Sequence, residues 1–357
     1  MNRPAHGGNR VWAAQLAQCA PHELLDFSAS INPLGPPQSA IAALQDSISD
    51  LCHYPDPDYT ALRQVLGAHH QIDPDWILPG NGAAELLTWA AWDLAQLDCT
   101  VLLTPAFSDY FRALRLWNAQ VLTASMLYDS QSLRYVHPDG QAGILLNNPH
   151  NPTGQSWCCV EFYELLDRYE LIVIDEAFME FTGSEGERHN SFIAELCSGS
   201  YEHVIVLRSL TKFYSLPGLR LGYAVGHPDR LRRWQAMRDP WSVNSLAAQV
   251  GEVMINDHAF AQATWDWLTP ARTQLEQSLA QFPALTPRPS AANFLLVKTQ
   301  SSAPLLQAEL LQHDRILIRD CLSFPELGED YFRVAVRTAA DNQRLLDALS
   351  QIPSLQG

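Results

Sequence analysis

Short apolar segments alternate with amphipathic ones through the first two thirds of the chain. Runs of apolar residues bounded by turn formers predict buried strands at 100–103, 143–146, 171–174, 203–207 and 221–225. Segments with helical periodicity lie around and between them at 82–97, 107–117 and 160–169. This alternation is typical of a mainly parallel sheet covered by helices on both faces, so it predicts an α/β domain.

The pattern changes after Trp241. A long helical segment is predicted over 245–282, with Pro270 as a candidate break. Strand-like runs at 293–298, 316–319 and 331–337 then interleave with helical segments at 304–313 and 340–352, which predicts a small α+β domain. We therefore divide the chain into an N-terminal arm at 1–40, a large domain at 41–245, and a long helix with a small domain at 246–357.

The acidic balance of the chain narrows the class of partner. Its 357 residues carry 39 acidic and 23 basic side chains, a net charge of −16. A surface that follows phosphates needs a basic excess, so we expect a small-molecule ligand and neither nucleic acid nor a membrane. The polar N-terminus and the lack of any apolar run of about 18 residues predict a cytoplasmic protein.

The cysteines number seven, an odd count with no C-x-x-C spacing. This pattern favours neither a disulfide framework nor a zinc knuckle. We expect reduced core residues at Cys19, Cys52, Cys99, Cys158, Cys159, Cys197 and Cys321.

Lysine is rare in this chain. Of the 23 cationic side chains, only Lys212 and Lys298 are lysines. A desolvated ammonium can lose its proton near neutral pH and become a nucleophile, which a guanidinium cannot do. Composition alone does not decide whether either lysine is functional or incidental.

One lysine lies in a polar motif directly after a predicted strand. The string S-L-T-K-F spans 209–213 and precedes Arg220 in P-G-L-R-L-G-Y. Two hydroxyls, an amine and a guanidinium at the carboxyl end of a parallel strand can form an anion cradle around the amine. A plain polar loop is the alternative.

A second motif places two carboxylates, Asp175 and Glu176, at the end of the predicted strand 171–174. A carboxylate there can bind a metal or hold a cationic ring nitrogen protonated. As a metal-binding or Walker-type acid, Asp175 would need a G-x-x-x-x-G-K-S/T loop elsewhere, and the sequence has none. A helix cap or surface acid is the alternative.

A third motif, N-N-P-H-N-P-T-G at 147–154, again follows a strand. Two X-Pro steps and a glycine make a rigid turn that can aim the amide of Asn151 at a ligand. An ordinary turn is the alternative.

A fourth motif, G-N-G-A-A-E at 80–85, opens a predicted helix. The small residues Gly82 and Ala83 expose backbone N–H groups, and the helix dipole adds to their attraction for an anion. The third glycine of a dinucleotide fingerprint is missing, and we predict no preceding strand of a βαβ unit, so a dehydrogenase is disfavoured. A plain glycine turn is the alternative.

Taken together, a phosphate cradle, a ring-nitrogen carboxylate, an oriented amide and a rare lysine are the parts of a pyridoxal phosphate site. In the order Gly82, Asn151, Asp175, Lys212 and Arg220 they resemble the fold-type I pyridoxal phosphate enzymes, the aspartate aminotransferase superfamily, over essentially the whole chain. The combination N-P-T-G, D-E-A-F and S-L-T-K-F with G-L-R-L-G-Y is most similar to the histidinol-phosphate aminotransferase branch.

Within that branch, four strings resemble the threonine-phosphate decarboxylases of cobalamin synthesis. They are H-G-G-N at 6–9, D-F-S-A-S-I-N-P-L-G at 26–35, W-S-V-N at 241–244 and Y-F-R-V-A-V-R at 331–337. Ser30 stands where the family's commoner form has Asn. Phe178 stands where many aminotransferases have a tyrosine that reaches the phenolic oxygen of the cofactor.

The resemblance implies roles around pyridoxal 5′-phosphate. Lys212 would form the internal Schiff base, Asp175 would pair with the pyridinium nitrogen, and Asn151 would bond the phenolic oxygen. Phe107 would stack on the ring, with core packing as the alternative. The cofactor phosphate would be held by Ser209, Arg220, the backbone of Gly82 and Ala83, and Tyr54 of the partner subunit. The last contact implies a homodimer with shared active sites.

The resemblance also implies a small phosphorylated amino acid as substrate. Arg333 matches the carboxylate-binding arginine, and Arg319 and Arg337 would add charge for a phosphate, with surface salt bridges as the alternative. The arm residues that would close over the substrate are His6, Gly8, Asn9 and Asn32.

The expected reaction is decarboxylation of L-threonine O-3-phosphate to (R)-1-amino-2-propanol O-2-phosphate and CO2. A histidinol-phosphate-type aminotransferase is the alternative and shares every cofactor residue. A non-catalytic binding module is a third reading, which the presence of both Lys212 and Asp175 disfavours.

Overall fold

The computed structural model describes residues 3–126, 138, 140–196 and 201–356. The helices are α1 (Arg10–Leu16), α2 (Gln38–Ser47), α3 (Thr60–His70), α4 (Ala83–Leu94), α5 (Ser108–Leu116), α6 (Tyr163–Leu166), α7 (Gly183–Asn190), α8 (Ile193–Leu196), α9 (Pro228–Met237), α10 (Ser245–Met254), α11 (His258–Leu279), α12 (Ala303–Asp314) and α13 (Ala339–Ser350). The strands are β1 (Leu25–Asp26), β2 (Ile77–Gly80), β3 (Cys99–Thr104), β4 (Val121–Ser125), β5 (Ala142–Asn147), β6 (Leu171–Asp175), β7 (Val204–Ser209), β8 (Gly222–Val225), β9 (Leu285–Pro287), β10 (Phe294–Thr299), β11 (Ile316–Leu317), β12 (Arg319–Asp320) and β13 (Tyr331–Ala335).

A seven-stranded sheet forms the centre of the molecule, in the order β2-β8-β7-β6-β5-β3-β4. The strands from β7 to β4 run parallel, whereas β8 is antiparallel to both of its neighbours. Alternate residues of one strand enter different cores, since Val101 and Leu103 pack in one apolar cluster and Leu102 in another. Both faces are therefore covered, which confirms the predicted α/β class with a mainly parallel sheet.

The C-terminal part contains a four-stranded antiparallel sheet in the order β12-β13-β10-β9, as the predicted small α+β unit requires. A separate parallel pair joins Leu25 to Ile316 and Asp26 to Leu317. The N-terminal arm is thereby attached to the C-terminal part of the chain. The boundaries at residues 40 and 245 stay predictions.

The predicted long helix is two helices, and the predicted break is wrong. The chain leaves α10 after Met254 and restarts at His258, where the Asp257 side chain accepts from the Phe260 N–H and caps α11. Pro270 lies inside α11 without ending it. Leu268 and Leu275 on either side are buried, so core packing holds the helix across the lost backbone hydrogen bond.

Other local predictions are also corrected. A strand, β2, does precede Gly82, so the expectation of no preceding strand is wrong. Because β2 is antiparallel to β8 and β8 is antiparallel to β7, β2 runs in the same direction as β3, and α4 connects two parallel strands that are not neighbours in the sheet. Among the described cysteines, Cys99, Cys159 and Cys321 are buried whereas Cys52 is exposed, so the expectation of core cysteines is wrong for Cys52. Cys197 lies outside the described residues. Within those residues, no helix has the length and apolar character needed to span a membrane.

Candidate active site

The strand ends at one edge of the sheet place the predicted chemistry together. Strands β6 and β7 are parallel neighbours, and they end at Asp175 and Ser209, with Lys212 in the turn after β7. A cavity of about 340 Å³ lies at this edge. Its lining includes the predicted residues His6, Gly82, Ala83, Phe107, Asp175, Ser209, Lys212 and Arg220. A larger cavity of about 600 Å³ elsewhere, lined by Arg272 and Arg288, holds none of the predicted site residues.

Lys212 lies on the cavity wall in a partly apolar setting. Its Nζ is 3.5 Å from Ser209 Oγ and 4.8 Å from the centre of the Phe178 ring. Loss of hydration lowers the pKa of Lys212, while the carboxylates of Asp175 and Glu180 oppose that shift. The neutral amine is therefore more accessible than for a surface lysine such as Lys298, which is exposed on β10.

Asp175 is held by two hydrogen bonds. Oδ2 accepts from the Tyr110 hydroxyl at 2.7 Å, and Oδ1 accepts from the Ala177 N–H at 2.9 Å. Burial raises the pKa of Asp175, whereas the Lys212 charge and both hydrogen bonds lower it. Burial and the neighbouring carboxylate raise the pKa of Tyr110 well above its ordinary value, so the phenol stays a donor. Tyr110 was not predicted; its place one helical turn after Phe107 is the signal that could have found it.

The phosphate end of the cavity depends on the conformation of Gly82. This residue has φ +75° and precedes α4, whose first residues, Ala83 and Ala84, line the cavity. A Cβ on Gly82 would lie 2.6 Å from Nη2 of Arg220. Only glycine allows the guanidinium to pack against this helix end, and a cationic group beside a helix N-terminus is an arrangement that favours an anion.

The predicted substrate arginines differ in their surroundings. Arg333 is buried, donates to Asn151 Oδ1 and lies 4.6 Å from the centre of the Phe294 ring. Burial lowers the pKa of Arg333 to about 10, so it stays charged at neutral pH. Arg319 donates to the Ala5 carbonyl and to Ser323 Oγ, both within the protein.

Arg337 also has partners within the protein. It pairs with Asp341 at 3.1 Å and donates to the Asp26 carbonyl at 3.3 Å. Neither Arg319 and Arg337 nor the pair of Arg333 and Asn151 lines the cavity of Lys212. The structure therefore joins Arg333 to the Asn151 turn, whereas Arg319 and Arg337 bond to groups elsewhere in the protein.

The N-terminal arm contributes His6 to the cavity, with its ring 5.4 Å from that of Phe107. The other arm residues have structural partners. The Gly8 N–H donates to Ser28 Oγ at 2.8 Å, and exposed Asn9 caps α1 by accepting from the Trp12 N–H. Asn32 is buried and donates to the Phe213 carbonyl at 2.9 Å and to Thr264 Oγ1 at 2.8 Å.

Tyr54 lies away from the cavity of its own chain. It is 78% exposed and stacks on Trp241 with ring centres 4.4 Å apart. Its predicted contact across a subunit interface stays a prediction.

A buried ionic cluster lies next to the site, and the sequence motifs include only one of its residues, Glu176. Arg208 contacts Glu176 at 2.9 Å, Glu180 at 3.1 Å and Glu187 at 2.8 Å. Burial raises the pKa of Glu176 to about 7 despite the Arg208 charge. The cluster fixes the residues that adjoin Asp175 and Ser209 in the chain.

A parallel sheet whose strand ends carry a desolvated lysine, a buried aspartate and an anion corner defines the pyridoxal-phosphate-dependent class of aminotransferase-like enzymes. The chain belongs to the aminotransferase class I and II family, whose profile matches residues 22–349. That family is pyridoxal-phosphate-dependent.

Named relatives refine this assignment. The chain is 42% identical to the threonine-phosphate decarboxylase of Salmonella typhimurium, over 98% of this chain and 96% of that protein. It is 33% identical to the adenosylcobalamin biosynthesis bifunctional protein CobDQ of Leptospira interrogans, over 99% of this chain and 41% of that protein. The structure of histidinol-phosphate aminotransferase from Clostridium acetobutylicum matches with a TM-score of 0.84 at 27% identity, over 92% of this chain and 98% of that one.

Proposed function

We propose that this chain decarboxylates L-threonine O-3-phosphate to (R)-1-amino-2-propanol O-2-phosphate and CO2, with pyridoxal 5′-phosphate as cofactor, in cobalamin biosynthesis. The near full-length similarity to the Salmonella decarboxylase and the match to a cobalamin biosynthesis protein support it. The observation that carries the proposal is the position of His6. It brings the arm into the cavity of Lys212 and Asp175, where a small substrate would be covered.

The residues around the cavity fit this cofactor. The close approach of Arg220 to Gly82 forms a cradle that a Cβ would fill, which suits a phosphate. A partly desolvated amine and a buried carboxylate suit the aldehyde and the ring nitrogen. The proposed ligands are Lys212, Asp175, Asn151, Phe107, Ser209, Arg220, Gly82 and Ala83.

When bound, the cofactor supplies an electron sink for the pair released as the Cα–carboxylate bond breaks. Asp175 would hold the proton on the ring nitrogen, because an ionised carboxylate stabilises the adjacent cation. Lys212 Nζ would yield its place to the substrate amine, and its ammonium form, protonated from solvent, would then donate a proton to Cα in place of the departed CO2. Arg333 would bind the carboxylate, and Arg319 and Arg337 would exchange their present partners for the phosphate.

We further propose a homodimer in which Tyr54 of the partner subunit completes the phosphate site. The exposed stack of Tyr54 on Trp241 supports this, since a large aromatic surface away from its own cavity is typical of an interface.

The test uses purified, cofactor-loaded protein. We expect CO2 release from L-threonine O-3-phosphate, little from unphosphorylated threonine, and no amino transfer from histidinol phosphate to 2-oxoglutarate. Amino transfer without CO2 release would instead establish the aminotransferase and overturn the proposal.

Two variants complete the test. Lys212→Ala should lose at least about a thousandfold in turnover, because the nucleophilic amine is removed. Lys298→Ala is the matched control, since that lysine is exposed on β10 and should leave turnover unchanged. Substantial decarboxylation by Lys212→Ala would refute the role of the lysine.

A further inference from the structure

Two histidines and a glutamate converge away from the active-site cavity. His69 and His70 end α3, and Glu187 lies on α7. One donor atom from each side chain lies within 4.8 Å of the other two. None of the three lines the cavity of Lys212. The fold thus brings imidazole and carboxylate donors of two separate helices to one point.

The setting of His70 is that of a metal ligand. Its Nε2 is 2.7 Å from the Tyr223 hydroxyl. A ligating histidine characteristically has its other ring nitrogen held in a hydrogen bond, which orients the ring and fixes the tautomer.

Oxygen donors are also available at this point. Glu187 is one of three carboxyl groups around the single guanidinium of Arg208. Oε2 of Glu180 is buried and accepts no hydrogen bond from the described residues. A cation at Glu187 would neutralise carboxylate charge that one guanidinium does not balance when these groups are ionised.

We propose that His69, His70 and Glu187 bind a zinc ion that joins α3 to α7. Zinc takes imidazole nitrogen and carboxylate oxygen at about 2.0–2.2 Å, so tetrahedral donors lie roughly 3.4 Å apart. The donor atoms, which lie within 4.8 Å of one another, therefore need to approach by at most about 1.4 Å. Three protein ligands leave a fourth position for water. The site stabilises the two helices and, through Glu187 and Arg208, the chain next to Asp175.

The experiment uses the full chain after chelator treatment, titrated with Co²⁺ as a visible probe and then with Zn²⁺ in competition. We expect one ion per chain, d–d absorbance in the range of four- or five-coordinate cobalt, displacement by zinc, and a midpoint of thermal unfolding raised by about 3 °C at a hundredfold excess over Kd. No step depends on the proposed decarboxylase activity.

The decisive variants are His69→Gln and Glu187→Gln, each expected to weaken binding at least tenfold. His69 is exposed, so its replacement should leave the fold intact, as circular dichroism can check. His313→Gln is the matched control, because His313 is also an exposed histidine in the last turn of a helix. Stoichiometric binding that survives His69→Gln, or no binding by the wild type, would overturn the proposal.

Discussion

The pKa of Asp175 depends on a hydrogen bond from Tyr110, which a single mutation can remove. The hydrogen bonds from Tyr110 and from the Ala177 N–H both favour the ionised form against burial. Tyr110→Phe removes a hydrogen bond to a charged group, worth about 1.5 kcal/mol, so the pKa of Asp175 should rise by about one unit. We expect the acid limb of the kcat/KM profile to move to higher pH by that amount.

Tyr169→Phe is the matched control for this experiment. Tyr169 is also buried, and its hydroxyl makes no hydrogen bond to the described residues. Its replacement should leave the pH profile unchanged. Identical profiles for Tyr110→Phe and the wild type would show that the tyrosine does not tune Asp175.

At the residue scale, the sequence located chemistry wherever an apolar run ended in polar residues. Asp175 and Lys212 were found in this way because parallel strands end at one edge of the sheet. Composition could not show which of the two lysines is functional. The structure distinguishes them, because Lys212 lines the cavity and Lys298 is exposed. Arg208 was missed because a single buried polar residue inside an apolar pattern reveals its partner only in three dimensions. Tyr110 was missed although it lies one helical turn after Phe107, because that spacing does not identify Asp175 as its partner.

At the element scale, the start of α4 depends on one glycine. Gly82→Ala would introduce both backbone strain at φ +75° and a collision with Arg220. We expect stability to fall by about 1 kcal/mol from the strain and cofactor affinity to fall at least tenfold from displacement of the guanidinium. Absorbance titration with pyridoxal phosphate measures the second effect.

Gly183→Ala separates the two causes. Gly183 has φ +83°, but a Cβ there would meet nothing within 4 Å. It should show the loss of stability without the loss of affinity. Equal cofactor affinities for the two variants would argue against the Arg220 corner as the phosphate site.

The elements that the sequence predicted are those with long apolar runs or clear helical periodicity. Strand β2 was missed because it contains Pro79 and Gly80, and β4 because its edge position leaves Leu122 and Thr123 exposed. Strand β1 has only two residues and exists through its pairing with β11. The break between α10 and α11 depends on the side-chain cap of Asp257, which the pattern of hydrophobic residues does not predict.

At the scale of the whole molecule, the buried Arg208 cluster should make stability depend on pH. The Glu176 carboxyl has an ordinary pKa of 4.5 and a pKa of about 7 in the folded protein. Between those values the folded state binds more protons than the unfolded state, so the contribution of Glu176 to the free energy of unfolding falls as pH rises. Its slope is at most about 1.4 kcal/mol per pH unit.

Glu176→Gln tests this directly, because the amide cannot ionise and Arg208 keeps two carboxylate partners. Urea unfolding of both proteins at several values between pH 5 and 8 should show a flatter dependence for the variant. Parallel curves would contradict the raised pKa of Glu176.

The order of apolar runs predicted the overall architecture, but it did not predict the hydrogen bonds that join distant segments. The alternation at 100–225 predicted the layered sheet, and the change after Trp241 predicted the smaller unit. The hydrogen bonds of Arg319 to Ala5 and of Arg337 to Asp26 depend on how distant segments meet, for which the sequence has no local signal.

The hydrogen bond from Arg333 to Asn151 spans residues 182 positions apart and connects the two parts of the molecule. Under the proposed roles, one partner serves the substrate and the other the cofactor. A substrate carboxylate that draws the Arg333 guanidinium away from Asn151 would free the amide that holds the cofactor ring. Binding of substrate and binding of cofactor would then be coupled by one free energy of interaction. By thermodynamic reciprocity, occupancy of either site must then alter the affinity of the other by the same factor.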